Sequence, residues 1–119
     1  MDKIIIKNME VYAYHGVASE ERSLGQMFLI SVELCLDLTD AAINDNINST
    51  IHYGHVCDYI ESIVTSHNYN LIEALAGAIA DGILERYDIV QSVKVKVKKP
   101  WAPLHRHVEY VAVEMERTR

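Results

Sequence analysis

Val93-Lys94-Val95-Lys96-Val97-Lys98-Lys99-Pro100 alternates valine with lysine three times and then loses step. Successive side chains of a strand leave on opposite faces, so the valines mark one face as buried and the lysines mark the other as wet. Pro100 lacks the amide hydrogen that a further ladder bond requires, and it stops the strand. Lys99 is out of phase with Lys94, Lys96 and Lys98, which turns it toward the valine side. Spacing alone leaves two readings of this residue: a strand end where phase has ceased to matter, or a functional lysine.

Upstream, Gln26 to Asp37 repeats the pattern, with Phe28, Ile30, Val32, Leu34 and Leu36 on one face and the mostly polar Ser31, Glu33, Cys35 and Asp37 on the other. Downstream, Val111, Val113 and Met115 alternate with Ala112, Glu114 and Glu116. The β-branched and aromatic run from Lys3 to Tyr14, broken by Gly16, reads as the first strand. Val17 to Gly25 reads as a loop, and Leu38 to Asn48 as a polar connector with one short helical turn around Asp40 to Ile43.

Between the two strand pairs the period changes. Val56, Tyr59, Ile60, Ile63 and Val64 recur at threes and fours and predict an amphipathic helix from Tyr53 to Ser66. Leu71, Leu75, Ala78, Ile79, Gly82 and Ile83 predict a second helix that closes near Tyr87. Its start, Asn70-Leu71-Ile72-Glu73, has the form of a capping box with Asn70 as the cap. Strand, strand, helix pair, strand, strand predicts an α+β fold as a single domain over residues 1–119. The expected sheet is four-stranded and largely antiparallel, with both helices on one face. Such a sheet leaves two open edges, and pairing them between subunits is one way to close them.

A chain of 119 residues, half of them apolar, buries roughly two thirds of its unfolded surface, so the core is thin and subunit contacts are expected to help. The formal charge is −6 and the isoelectric point about 5.4, which leaves no positive field to attract nucleic acid or an anionic membrane surface. No apolar run is long enough to cross a bilayer. Met1-Asp2-Lys3 and three isoleucines lack the apolar stretch and cleavage site of a secretory signal, so a soluble, cytoplasmic protein is expected. Cys35 and Cys57 sit in apolar-patterned segments and read as reduced, buried thiols. His52 and His55, and His105 and His107, are closely spaced, with His15 and His67 elsewhere. Without an HExxH motif or participating cysteines, no metal site is expected.

Three other residues invite functional readings. Glu73 is explained by the capping box, but a carboxylate beside free helix amides can also grip a flat, amidine-like ring edge through paired hydrogen bonds. Tyr53 opens a helix in His52-Tyr53-Gly54-His55, where a tyrosine is ordinarily an amphipathic anchor. Glu20-Glu21 reads by itself as a solvated charge pair in a loop.

Taken together, these segments resemble the dihydroneopterin aldolase family across nearly the whole chain. The matching motifs are Tyr14-His15-Gly16-Val17 followed by Glu21 and Gly25-Gln26, His52-Tyr53-Gly54, Asn70-Leu71-Ile72-Glu73 with Leu75-Ala76, and Lys99-Pro100 with Ala102-Pro103. The resemblance implies the tunnelling fold, in which sheets of several subunits join edge to edge into a barrel with the helices outside. It implies a homo-oligomer, a tetramer ring or an octamer of two stacked rings, with Lys94, Lys96 and Lys98 toward the tunnel and active sites between neighbouring subunits.

By the same resemblance, Glu73 and the backbone around Ile72 hold the amino-pyrimidine edge of a pterin, and Tyr53 of a neighbouring subunit stacks on its ring. Lys99 and Tyr53 handle protons, and Glu21 borders the side-chain end. The implied reaction is the retro-aldol cleavage of dihydroneopterin to hydroxymethyl-dihydropterin and glycolaldehyde in folate synthesis, with side-chain epimerisation as an accompanying reaction. It needs no metal and no cofactor, because the ring imine of the substrate accepts the electrons that a Schiff base or metal supplies a place for in other aldolases. His105-Arg106-His107 replaces the Gly and acidic residues common in the family, and Trp101 is distinctive; both bear on loop shape and substrate fit. The nearest alternative is an epimerase of dihydroneopterin triphosphate, for which His105, Arg106 and His107 are the candidate phosphate pocket. A non-catalytic pterin-binding ring is a third reading.

Overall fold

The alternating segments pair as one four-stranded sheet. The computed structural model describes residues 1–119. In chain order they form β1 (Asp2–Ala13), α1 (Ser19–Leu24), β2 (Gln26–Leu36), α2 (Thr39–Asn44), a 3-10 turn (Ile47–Ser49), α3 (Tyr53–Ser66), α4 (Ile72–Arg86), β3 (Ser92–Lys99) and β4 (Val111–Thr118). Strand order is β1-β2-β3-β4, and every pairing is antiparallel. The expected α+β sheet with its helix pair is the observed architecture.

Register explains the core. Ile30 lies opposite Val97, Val32 opposite Val95 and Leu34 opposite Val93, so the alternating apolar residues of β2 and β3 form one continuous buried face. Onto it α3 lays Val56, Ile60 and Val64, and α4 lays Leu75, Ile79 and Ile83, all without exposed surface. α3 packs beside β1 and α4 across β3 and β4. The other face carries Lys94 and Lys96 across from Glu33, Ser31, Glu116 and Glu114, a ladder of mixed charge.

Several local expectations need correction. Val17 to Gly25 is not all loop: α1 occupies its centre and buries no residue, so no apolar period announced it. Asn70 is not the helix cap. Leu71 is, without a side-chain bond, so Glu73 is the second helical residue and sits one position short of a capping box. Just before it both backbone groups of Tyr69 are tied to His15 and Gly16, which follow β1, and Leu71 is still extended at φ −117° and ψ 137°. The connector helix is longer than the expected turn, Thr39–Asn44, and Cys35 and Cys57 are free thiols but half-buried rather than fully buried.

β1 and β2 each end one residue before the expected Tyr14 and Asp37. β1 also hides a bulge between Ile6 and Met9. Asn8 sits there at φ 56°, and its amide donates to Ser31 Oγ at 2.8 Å. Ile4 and Ile6 pack on the core before the bulge and Met9, Val11 and Ala13 after it, so the extra residue exchanges even for odd positions and keeps both halves amphipathic.

Candidate active site

Lys99 is the last residue of β3, and its side chain turns to the helix side of the sheet. There Nζ donates to Glu21 Oε2 at 2.7 Å, with the two side chains only 12% and 10% exposed. This is not the geometry of a fraying strand end, which does not hold a nearly buried ion pair. Such a pair survives removal from water only when both partners are present, because either one alone is a stranded charge.

Glu21 reaches that position through α1. Its Oε1 accepts from the Ala18 amide at 3.3 Å, half of a capping interaction that orients the carboxylate. Gly16 makes the room. A Cβ at position 16 would lie 2.5 Å from the Glu21 carboxyl group, and its φ of 151° already disfavours any other residue.

The third component is the start of α4. The amides of Ile72 and Glu73 have no backbone acceptor, as the first donors of a helix never do within it. The Glu73 carboxylate is exposed and, with no capping role, makes no bond within the subunit. Together with Glu21 and Lys99 these groups line a cleft of about 350 Å³ whose remaining walls are mostly apolar, Val17, Leu71, Leu104, Val111 and Val113 among them. A cleft of this kind offers a flat ring apolar contact, a carboxylate for its N–H groups and free amides for its carbonyl.

Tyr53 is elsewhere. It is the first residue of α3, 65% exposed, on the rim of an apolar hollow that includes Ile4, Leu38, Ile47 and Ile51. One subunit therefore brings together Glu21, Ile72, Glu73 and Lys99 and leaves Tyr53 outside. His105, Arg106 and His107 are all exposed and none lines the cleft, although Leu104 beside them does; Trp101 is 74% exposed. A second hollow of about 350 Å³ on the lysine face is lined by Lys7, Lys94, Lys96 and Lys98 with Glu33 and Glu114, and only Ile5 and Val32 among its lining residues are hydrophobic. Side chains of His, Cys, Asp and Glu nowhere gather in threes in metal-ligating geometry. No helix is long and apolar enough to cross a membrane.

In the sequence His15 stands in the Tyr14-His15-Gly16-Val17 motif and among the six histidines, with no role of its own. In the structure it is fully buried behind the cleft, where Nε2 meets Val64 O at 2.9 Å and the Tyr69 amide donates to Nδ1 at 2.9 Å. Burial pushes its pKa below the ordinary histidine value, with the Lys99 and His67 charges acting in the same direction and the Val64 bond opposing them. The signal available in sequence was a histidine just after a strand and directly before a glycine.

The sequence matches the family model described as FolB, dihydroneopterin aldolase, over residues 4–116. A dihydroneopterin aldolase of Streptococcus pyogenes serotype M18 is 40% identical over 119 residues, 100% of each chain. Among solved structures, E. coli dihydroneopterin aldolase in complex with neopterin is similar with a TM-score of 0.90 and 26% identity, covering 98% of this chain and 99% of that one. Dihydroneopterin aldolase from Burkholderia thailendensis bound to guanine has a TM-score of 0.83 and 26% identity, covering 99% of this chain and 91% of that one.

Proposed function

The chain belongs to the dihydroneopterin aldolase family and is a lyase of that activity; from that premise we propose how its residues divide the reaction. The Glu73 carboxylate and the Ile72 amide hold the amino-pyrimidine edge of the pterin, as the free amides and unpaired carboxylate at the start of α4 suit it to do. Neopterin and guanine, the ligands of the two related crystal structures, share that edge chemistry. Glu21 fixes Lys99 at the side-chain end of the ring, and Tyr53 of a neighbouring subunit closes the cleft.

Cleavage begins with removal of the proton from the hydroxyl on the second side-chain carbon. The bond between the first and second carbons then breaks, the second carbon leaves in glycolaldehyde, and the electron pair passes through the first carbon into the ring imine. Returning one proton to the first carbon gives hydroxymethyl-dihydropterin and balances the proton taken. Lys99 and Tyr53 are the acid–base pair. A tyrosine hydroxyl titrates near 10 in water and needs a positive neighbour to share protons at neutral pH, which Lys99 supplies. Because the substrate contains its own electron sink, the reaction runs without metal or cofactor.

The subunits form a ring in which the β1 edge of one pairs with the β4 edge of the next, bringing the Tyr53 hollow against a neighbour's cleft. The enzyme works in the cytoplasm. The observation that carries this reading is the nearly buried Lys99–Glu21 pair facing the free end of α4 across one apolar cleft. EDTA-treated protein incubated anaerobically with dihydroneopterin is expected to release glycolaldehyde and hydroxymethyl-dihydropterin in equal amounts. Unchanged substrate, or cleavage restored only by added metal, would contradict it.

A further inference from the structure

His15 takes no part in the chemistry above, although it is the one titratable side chain with no exposed surface. Its ring meets Phe28 edge-on and is flanked by Tyr69, at centroid distances of 5.2 and 5.5 Å. An amide hydrogen can only donate, so the Tyr69 N–H makes Nδ1 an acceptor and leaves the imidazole proton on Nε2, which donates to Val64 O. That carbonyl belongs to the last turn of α3, where a helix leaves its carbonyls unpaired. The next residue repeats the tie: the Gly16 amide donates to Tyr69 O at 3.0 Å.

Both backbone groups of Tyr69 are therefore anchored to the two residues His15 and Gly16 just after β1, and only Asn70 and Leu71 separate it from Ile72. Gly16 is also the residue whose missing side chain admits the Glu21 carboxylate. One dipeptide thus sets both walls of the cleft, the Glu21–Lys99 wall and the Ile72–Glu73 wall. We propose that His15 is a positioning residue of the aldolase site: its neutral Nε2–H tautomer holds the Tyr69–Glu73 segment at the separation from Lys99 that a pterin ring requires. This rests on the assignment of Ile72 and Glu73 to the pterin edge.

Protonating His15 sets an Nδ1 donor against the Tyr69 donor. Of the groups around it, Lys99 on β3 and His67 after α3 oppose the added charge, Glu21 on α1 lies beyond Gly16 and is paired with Lys99, and Phe28 on β2 is neutral. Acid should therefore loosen the α4 wall before it unfolds the protein.

The test uses the full chain and neopterin as a non-cleaved probe, with calorimetric affinities measured across pH for wild type, His15→Phe, His15→Asn and Glu73→Gln, and melting curves to establish folding. Folded His15→Phe is expected to bind neopterin at least about tenfold more weakly, with KM for dihydroneopterin rising more than kcat falls, since misplacement by an ångström has effects of this order or larger. His15→Asn places Oδ1 close to where Nδ1 stood. It is expected to recover most of the affinity at neutral pH and to lack the acid-side loss shown by wild type. A lower melting temperature with unchanged affinity in His15→Phe would reduce His15 to a core residue and overturn the proposal. If His15→Phe does not fold, parallel pH profiles for wild type and His15→Asn overturn it instead. Glu73→Gln separates the two levels: normal neopterin affinity there sinks the pterin-edge assignment and this proposal with it, whereas weak binding there beside normal binding in folded His15→Phe sinks the positioning role alone.

Discussion

The cleft at the end of β3 and the shelf around Tyr53 are built in opposite ways. In the cleft the charged pair and the backbone behind it are braced: Lys99 is held by Glu21, Glu21 by the Ala18 amide and the space at Gly16, and the approach to α4 by the bond from the Tyr69 amide to His15. Tyr53 has no such frame. It stands 65% exposed at the first turn of α3, beside a hollow in which Ile47 is exposed and Ile4 and Leu38 are half-buried. The proposed sharing of the site between subunits accounts for this contrast: a group acting within its own subunit is preorganised there, whereas one acting in a neighbour's site is positioned by the contact between them. The proposed acid–base pair is thus divided between a finished half and an unfinished one.

The strongest way to break this contrast is at Lys99. Lys99→Ala should lower kcat/KM by about 10³-fold, the range of a lost acid–base group, in steady-state cleavage assays. Near-normal turnover would show that the finished half is only a scaffold. Tyr53→Phe keeps the ring and removes the hydroxyl, and should lower kcat by about 10²-fold with KM little changed. A change confined to KM would make Tyr53 a stacking surface alone. Glu73→Gln should weaken pterin binding by about ten- to a hundredfold, the worth of a hydrogen bond to a charged group, and leave the melting temperature nearly unchanged because no capping box depends on it.

Smaller effects test the supports. Gly16→Ala forces a methyl group against the Glu21 carboxyl and should cost about 2 kcal/mol in urea unfolding, within the range for an overpacked site. His15 contributes a pH dependence with a defined sign. Its folded pKa is lowered, so the unfolded chain binds its proton more readily, and stability rises with pH between that lowered value and the ordinary value of about 6.5. Urea midpoints should fall as pH drops through that window, and less steeply in His15→Asn.

Where side-chain period reports burial, the sequence was legible. β2, β3 and α3 each bury one face against a single neighbour layer, and their boundaries follow the alternation closely. Lys99 was legible for the same reason, as a residue out of phase. α1 was not, because none of its residues is fully buried and the side chain it draws inward is the charged Glu21, so no apolar period marks it. Neither was the true cap of α4, before which Tyr69 is tied to residues more than fifty positions earlier. The bulge at Asn8 escaped notice because an unbroken β-branched run carries no mark of a change in phase. Tyr53 presents the reverse situation: resemblance assigned it a role that no distance within one subunit could suggest.

Subunit mixing tests the central claim most directly. Lys99→Ala and Tyr53→Phe proteins, each nearly inactive alone, would be unfolded together and refolded in equal amounts before the cleavage assay. If each site takes its cleft from one subunit and its tyrosine from the next, random assembly restores about a quarter of the sites to wild-type composition. Recovery of about that share of wild-type activity is the result this account predicts. Activity no greater than the average of the two variants refolded separately would place Lys99 and Tyr53 in the same subunit's site, or remove one of them from the reaction, and contradict it.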